Sequence, residues 1–230
     1  MAQTETFRDP LEHAAALNDA GNYGAALREL DRLIAFDPSN VRAHVARAWA
    51  LENLGSQRLP ESRDAYLQAV RLDPTELWAK EGLANVLRRL GQAEEADALC
   101  AEVVEEARAR DVRDADLLEL LGWCEYRLGR FEDAAASLRE ALAVDADLVA
   151  VRLDLALVLL CAGHHDQALT EYIDGTHRAE RIGEIQGLLV VALDDLEDAL
   201  TERPELRDAS EALAARQILL RALDAPRRPA

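Results

Sequence analysis

Few side chains in this 230-residue chain are placed to do chemistry, and their spacing argues against it. His164 and His165 stand beside Asp166, with His177 farther along, and imidazole nitrogens with a carboxylate are the donor set of a zinc or copper site. Adjacent histidines at a helix start point apart, and no other ligand keeps a fixed spacing with them, so no metal is expected. Cys100, Cys124 and Cys161 stand singly inside helical patterns, which reads as reduced core thiols. The acidic run Asp194, Asp195, Glu197 and Asp198 reads as the solvated face of a helix, since a calcium loop needs alternating oxygen ligands and a turn glycine. The chain has no glycine-rich phosphate loop after a strand, no nucleophile elbow and no histidine with an acid partner. Neither a cofactor nor an enzymatic activity is expected.

Composition narrows the class. Half the residues are hydrophobic while only 4% are aromatic, so the apolar content is mostly Ala and Leu, which favour helices. Forty-four acidic against 26 basic residues give a formal net charge of -18, which disfavours nucleic acid and anionic membrane surfaces as partners. The most apolar stretches are 148–162 and 187–193. The first is broken by Arg152 and Asp154, and the second is far shorter than the roughly 20 residues of a bilayer span, so no membrane insertion is expected. Residues 1–10 lack a basic start followed by an apolar core, and a cytoplasmic location is the expectation.

What the sequence does contain is a period. Glycines at 21, 55, 91, 129 and 163 each separate two helical segments, at spacings of 34, 36, 38 and 34 residues. Small residues stand seven places before each (Ala14, Ala48, Ala84, Gly122, Ala156) and five places after four of them (Ala26, Ala96, Ala134, Ala168), with Ser62 seven places after Gly55, letting two helices approach closely. Asp37-Pro38 and Asp73-Pro74 stop the second helix of the first two units, because proline disfavours a helical residue before it. The extra residues of units two and three fall at 56–59 and between Ala107 and Asp114, both in loops.

This pattern, with Leu-Gly-Arg-Phe-Glu-Asp-Ala-Ala at 128–135 as one of its clearer copies, resembles the tetratricopeptide repeat family. The resemblance implies an all-α fold, a right-handed α-solenoid of antiparallel helix pairs, with repeats at 7–40, 41–76, 77–114, 115–148 and 149–182. Residues 1–6 and 224–230 read as tails, and 183–223 as capping helices or a degenerate sixth repeat. The family's usual large aromatic at the fourth position of the first helix is replaced here by Pro10, His44, Lys80, Leu118 and Arg152.

In that family the first helices line a concave groove, and the corresponding stripe here holds Arg42, Val45, Trp49, Glu52 and Asn53 in unit two, and Trp78, Glu81, Asn85, Arg88 and Arg89 in unit three. In unit four it holds Asp116, Glu119, Trp123, Tyr126 and Arg127. The tryptophans either line this groove or lie between neighbouring first helices. The resemblance implies a non-enzymatic adaptor that grips a partner polypeptide. A chaperone masking a partner segment and a self-assembling scaffold are the alternatives. Some members clamp a C-terminal carboxylate with Lys, Asn and Arg. Here only Asn85 and Arg89 match, and Leu120 stands where a paired Asn belongs, so that clamp is not expected. The first helix of unit five is apolar all round and must be covered on more than one side. The C-terminal helices are the expected cover, with a second copy as the alternative.

Overall fold

The computed structural model describes residues 9–111, 113–182, 185–207 and 209–224; of the two expected tails, only Asp224 lies within them. Twelve α-helices and no strand occur among the described residues. They fall into two compact units, Met1–Glu106 and Ala107–Ala230. The first unit is built from α1 (Pro10–Asp19), α2 (Tyr23–Phe36), α3 (Val41–Asn53), α4 (Leu59–Leu72), α5 (Leu77–Arg89) and α6 (Ala93–Arg108), whose last two residues belong to the second. The second holds α7 (Ala115–Arg127), α8 (Phe131–Val144), α9 (Val149–Cys161), α10 (His165–Ile182), α11 (Ile185–Glu202) and α12 (Ser210–Asp224).

The boundaries follow from local chemistry. Side chains of Asp9, Asn40, Glu76 and Asp114 accept the amides of Leu11, Ala43, Trp78 and Leu117, so α1, α3, α5 and α7 each begin on an acceptor that meets otherwise unpaired donors. All five spaced glycines take a positive φ, between 71° and 118°. After α1, α5, α7 and α9 the amide one residue past the glycine reaches back to a carbonyl five residues earlier, as in Gln92 to Leu87 at 2.9 Å. Glycine adopts this left-handed turn without the cost borne by other residues. Gly55 differs: its φ is 118° and the inserted residues form a 3-10 turn, Ser56–Arg58, before α4 starts at Leu59 and Pro60. At the other helix ends, Asp37, Asp73 and Asp145 each accept the amide two residues on.

Each glycine hairpin closes on its small residues. Ala14 and Ala26, Ala84 and Ala96, and Ala156 and Ala168 are all buried. Ser62, which replaces the usual alanine, is fully buried and its hydroxyl donates to the Ala48 carbonyl at 2.8 Å, so the substitution is satisfied across its own hairpin. Where the family pattern would put a large aromatic, polar side chains instead tie the first helix to its surroundings. His44 Nε2 lies 3.0 Å from the Pro38 carbonyl, Lys80 Nζ 2.5 Å from Glu106, and Arg152 Nη1 2.7 Å from Glu171. Lys80 is 5% exposed, and its ammonium is the desolvated member of that pair.

In the first unit α1, α3 and α5 lie side by side, with α2 and α4 behind them. In the second, α7 and α9 are neighbours, and α11 packs against α9, α10 and α12. The sixth helix pair therefore continues the sequence order, although no left-handed glycine separates its helices. Arg203 and a 3-10 turn at Pro204–Leu206 do so.

Successive pairs meet as tightly as the helices within a pair. A methyl group on Gly82 of α5 would stand 2.3 Å from Cζ of the buried Tyr66 ring on α4. Gly82→Ala is expected to lower stability by about 1–3 kcal/mol, seen as a lower urea midpoint of helix loss, because overpacking outweighs the roughly 1 kcal/mol of helix propensity that alanine brings. An unchanged or raised midpoint, followed by far-ultraviolet circular dichroism, would show that Tyr66 yields freely.

Candidate functional site

On the side of the first unit where its first helices meet, a pocket of about 440 Å³ is lined by Ala15 and Asn18 of α1, Arg42, Val45, Ala46 and Trp49 of α3, and Tyr66 of α4. Glu76, Trp78 and Glu81 complete it. The two indoles are 39% and 43% exposed, unusually open for side chains of this size. Trp49 stands edge-on to Tyr23 at 5.6 Å between ring centres. Arg42 is exposed and forms no ion pair among the described residues. Glu76 holds the first turn of α5 through the Trp78 amide, which fixes where that indole leaves the helix. The buried Asn18 donates to the Ala46 carbonyl at 3.1 Å, and its own oxygen has no partner.

Other residues of the predicted stripe serve the protein itself. Glu52 is only 6% exposed, and one of its oxygens accepts from Asn85 at 2.6 Å and from Arg89 at 3.0 Å. Burial pushes the Glu52 carboxyl above its ordinary range, opposed by the Arg89 charge and by hydrogen bonds from Arg89, Asn85 and Tyr66. The two residues that resemble part of a carboxylate clamp thus already hold an internal carboxylate. Asn53 donates to the Trp49 carbonyl one turn back, and Arg88 to Asp97 at 2.5 Å. Of the predicted residues in this unit, Arg42, Val45, Trp49, Trp78 and Glu81 line the pocket. Glu52, Asn53, Asn85, Arg88 and Arg89 do not. Ala15 and Asn18 were not among the predicted residues, although the stripe's register, extended to the first repeat, reaches both positions. Tyr66 belongs to a second helix and carries no such signal.

The second unit corrects the expected groove. Tyr126 is 1% exposed, stacked on the half-buried Trp123 at 5.2 Å. The Arg127 guanidinium lies over the Trp123 ring at 5.0 Å and pairs with Glu202 at 3.6 Å. Arg203 lies over Tyr126 at 5.2 Å and over Phe131 at 5.0 Å, and donates to the Tyr126 hydroxyl at 3.4 Å. Trp123, Tyr126 and Arg127 are therefore joined to the end of α11 and the turn after it. The cause is α9, whose apolar residues occupy more than one side: its Leu153, Leu157 and Leu160 are buried, and α11 contributes Leu189, Leu196 and Leu200 to the same core. That cover buries the apolar sides of α9 within its own chain.

Closing this face has an electrostatic cost. Asp195, expected on a solvated face, is half-buried, and burial raises its carboxyl to about 6 despite the lowering influence of Arg127. Burial pushes Asp154 well above the usual carboxylate range, and the charges of Asp195 and Glu119 add to the rise. Glu119 is itself raised by burial and by Asp116. Elsewhere in the unit, His165 Nδ1 stands 3.7 Å from Glu211. No group of three or more potential metal ligands converges among the described residues, and no helix there is long and apolar enough to cross a membrane.

Comparison with known proteins agrees with this architecture. Two profiles described as tetratricopeptide repeat match the chain, one at residues 11–76 and 125–178 and the other at 75–147. The TPR repeat-containing thioredoxin TTL4 of Arabidopsis thaliana is 43% identical over 76 residues, which is 33% of this chain and 11% of that protein. The chain thus spans about a tenth of the length of the curated relatives it matches. Among solved structures, a thermophilic TPR protein of Thermus thermophilus is 24% identical, with a TM-score of 0.63, covering 78% of this chain and 97% of its own. Pseudomonas aeruginosa PilF is 16% identical, with a TM-score of 0.50, covering 89% and 93%. At these identities the likeness to the solved structures is one of fold.

The raised carboxyls set a pH dependence with a definite sign. Asp195 titrates at about 6 in the folded chain, against about 4 for an aspartate in the unfolded chain. The folded state takes the proton first, so stability rises as pH falls through this window and the full penalty stands above it. Trp123 fluorescence, read with Trp49 and Trp78 replaced by Phe, is expected to give a higher urea midpoint at about pH 5.5 than at about pH 7.5. Asp195→Asn should shrink the difference. A midpoint that falls on acidification would contradict this account of the interface.

Proposed function

This chain belongs to the tetratricopeptide repeat family, and on that footing we propose that it is a non-enzymatic interaction adaptor that captures a partner polypeptide on the first-helix face of its first unit. The family's proteins are interaction scaffolds, and the pocket supplies the physical reason to choose this face. Two indoles hold large apolar areas in partial contact with water, and transferring them to a partner's surface releases that water while ordering only two torsions in each ring. Arg42, without an ionic partner among the described residues, is available to a backbone carbonyl or a carboxylate. The lining offers neither histidine nor cysteine, and Tyr66 is occupied by Glu52, which argues for binding without chemistry.

The second unit has a different part in this reading. Its corresponding aromatic residues are engaged by α11, Glu202 and Arg203, so it acts as a self-closed segment and the first unit as the receptor. A chain with Trp49→Ala and Trp78→Ala should lose its captured partner from host extract, with affinity reduced about tenfold or more, while helicity is retained. Trp123→Ala should instead lower the unfolding midpoint and spare capture. Partners retained undiminished by the double variant would refute the assignment.

A further inference from the structure

The two units treat equivalent tryptophans differently. Trp49 and Trp123 occupy the same place in their first helices, six residues before the left-handed glycine of their hairpins. Four residues on from Trp123 stands Arg127, whose guanidinium covers the indole at 5.0 Å, and Arg203 covers the adjoining Tyr126 and Phe131 rings. Four residues on from Trp49 stands Asn53, whose amide turns back to the Trp49 carbonyl. Neither Trp49 nor Trp78 has a cation over its ring among the described residues. We propose that the first-unit pocket is a receptor for a guanidinium side chain, so that the partner segment it captures presents an arginine between Trp49 and Trp78.

Charge and chemistry favour that occupant. The lining carries two carboxylates, Glu76 and Glu81, against one cation, Arg42, in a chain whose formal net charge is -18. The Asn18 oxygen, buried beneath the wall and without a hydrogen-bond partner, sets a negative dipole end behind it. A planar cation gains from the electron-rich faces of indoles, and it gains more where carboxylates are close and water is partly displaced. An acidic side chain would meet a net negative wall, and an apolar one would bring no charge to match it. Arg42 acts against the bound cation by repulsion, so its role is confined to the partner's backbone. In the second unit the chain satisfies its own aromatic face with its own arginines, and in the first that place is left to another chain.

The inference rests on the adaptor reading above, and its test separates the two. The probes are N-acetyl methylamides of arginine, citrulline, norleucine and glutamate, titrated against the full chain labelled with nitrogen-15. The three indole N–H signals are assigned through single Trp→Phe variants. Arginine should shift the Trp49 and Trp78 signals, leave that of Trp123 still, and bind at least about fivefold more tightly than its neutral isostere citrulline. Glu81→Gln and added salt should weaken it, and Arg42→Ala should leave it equal or tighter. The proposal is overturned if norleucine or citrulline matches arginine, or if glutamate shifts the two indoles in a manner that Arg42→Ala abolishes. Silence from all four probes also overturns it. In each of those cases the adaptor reading survives so long as partner capture still depends on Trp49 and Trp78, and fails with it if capture does not.

Discussion

Close approach of two helices at one pair of small residues, repeated along the chain, is the constraint on which the remaining structure depends. Ala14 against Ala26, Ala48 against Ser62 and Gly122 against Ala134 leave no room for a side chain between the helix axes. The glycine turn between them reverses the chain in the fewest residues and meets the terminal carbonyls on the way. Once the distance and direction of each hairpin are fixed, the larger side chains of the first helix have two places to go: toward the next pair, or to the face where the first helices meet. The candidate site is a product of that division.

The same scaffold yields opposite outcomes in the two units because their first helices differ in polarity. α3 and α5 carry Arg42, Glu52, Glu81, Asn85 and Arg89 among their apolar residues, so their common face tolerates water and keeps its indoles in reach of it. α9 has few such residues, and water cannot be left against it. α11 supplies the cover and brings Glu202 and Arg203 to the end of α7, where cations and aromatic rings complete the closure. The same packing takes Asp154 and Asp195 largely out of water, which is why both carboxyls rise.

Polar groups inside the first unit are arranged by the same logic of desolvation. Glu52 lies beneath the surface with Asn85, Arg89 and Tyr66 around it, and Lys80 with Glu106, so each buried charge has a partner from a different helix. In the second unit Glu125, fully buried, is held by Arg108 at 2.6 Å and Ser137 at 2.7 Å. Removing the partner leaves a buried charge unpaired, so these contacts fix how neighbouring helices register more than they add to stability.

The amino-acid order alone determined the repeat and its hairpins, since a positive φ at glycine, an acceptor at a helix start and a small residue at a crossing are local requirements that each leave a residue at a fixed spacing. It also determined that α9 needed cover on more than one side, because a helix apolar all round announces its burial. It did not determine which members of the first-helix stripe would face solvent. Arg42, Trp49 and Trp78 line a pocket while Asn85 and Arg89 are consumed by Glu52, and Trp123, Tyr126 and Arg127 are engaged by a helix about 75 residues later in the chain. Periodicity assigns a side chain to a face of its helix. Whether that face stays open depends on what other segments bring to it, and those pairings are settled by desolvation and close contact between residues distant in sequence.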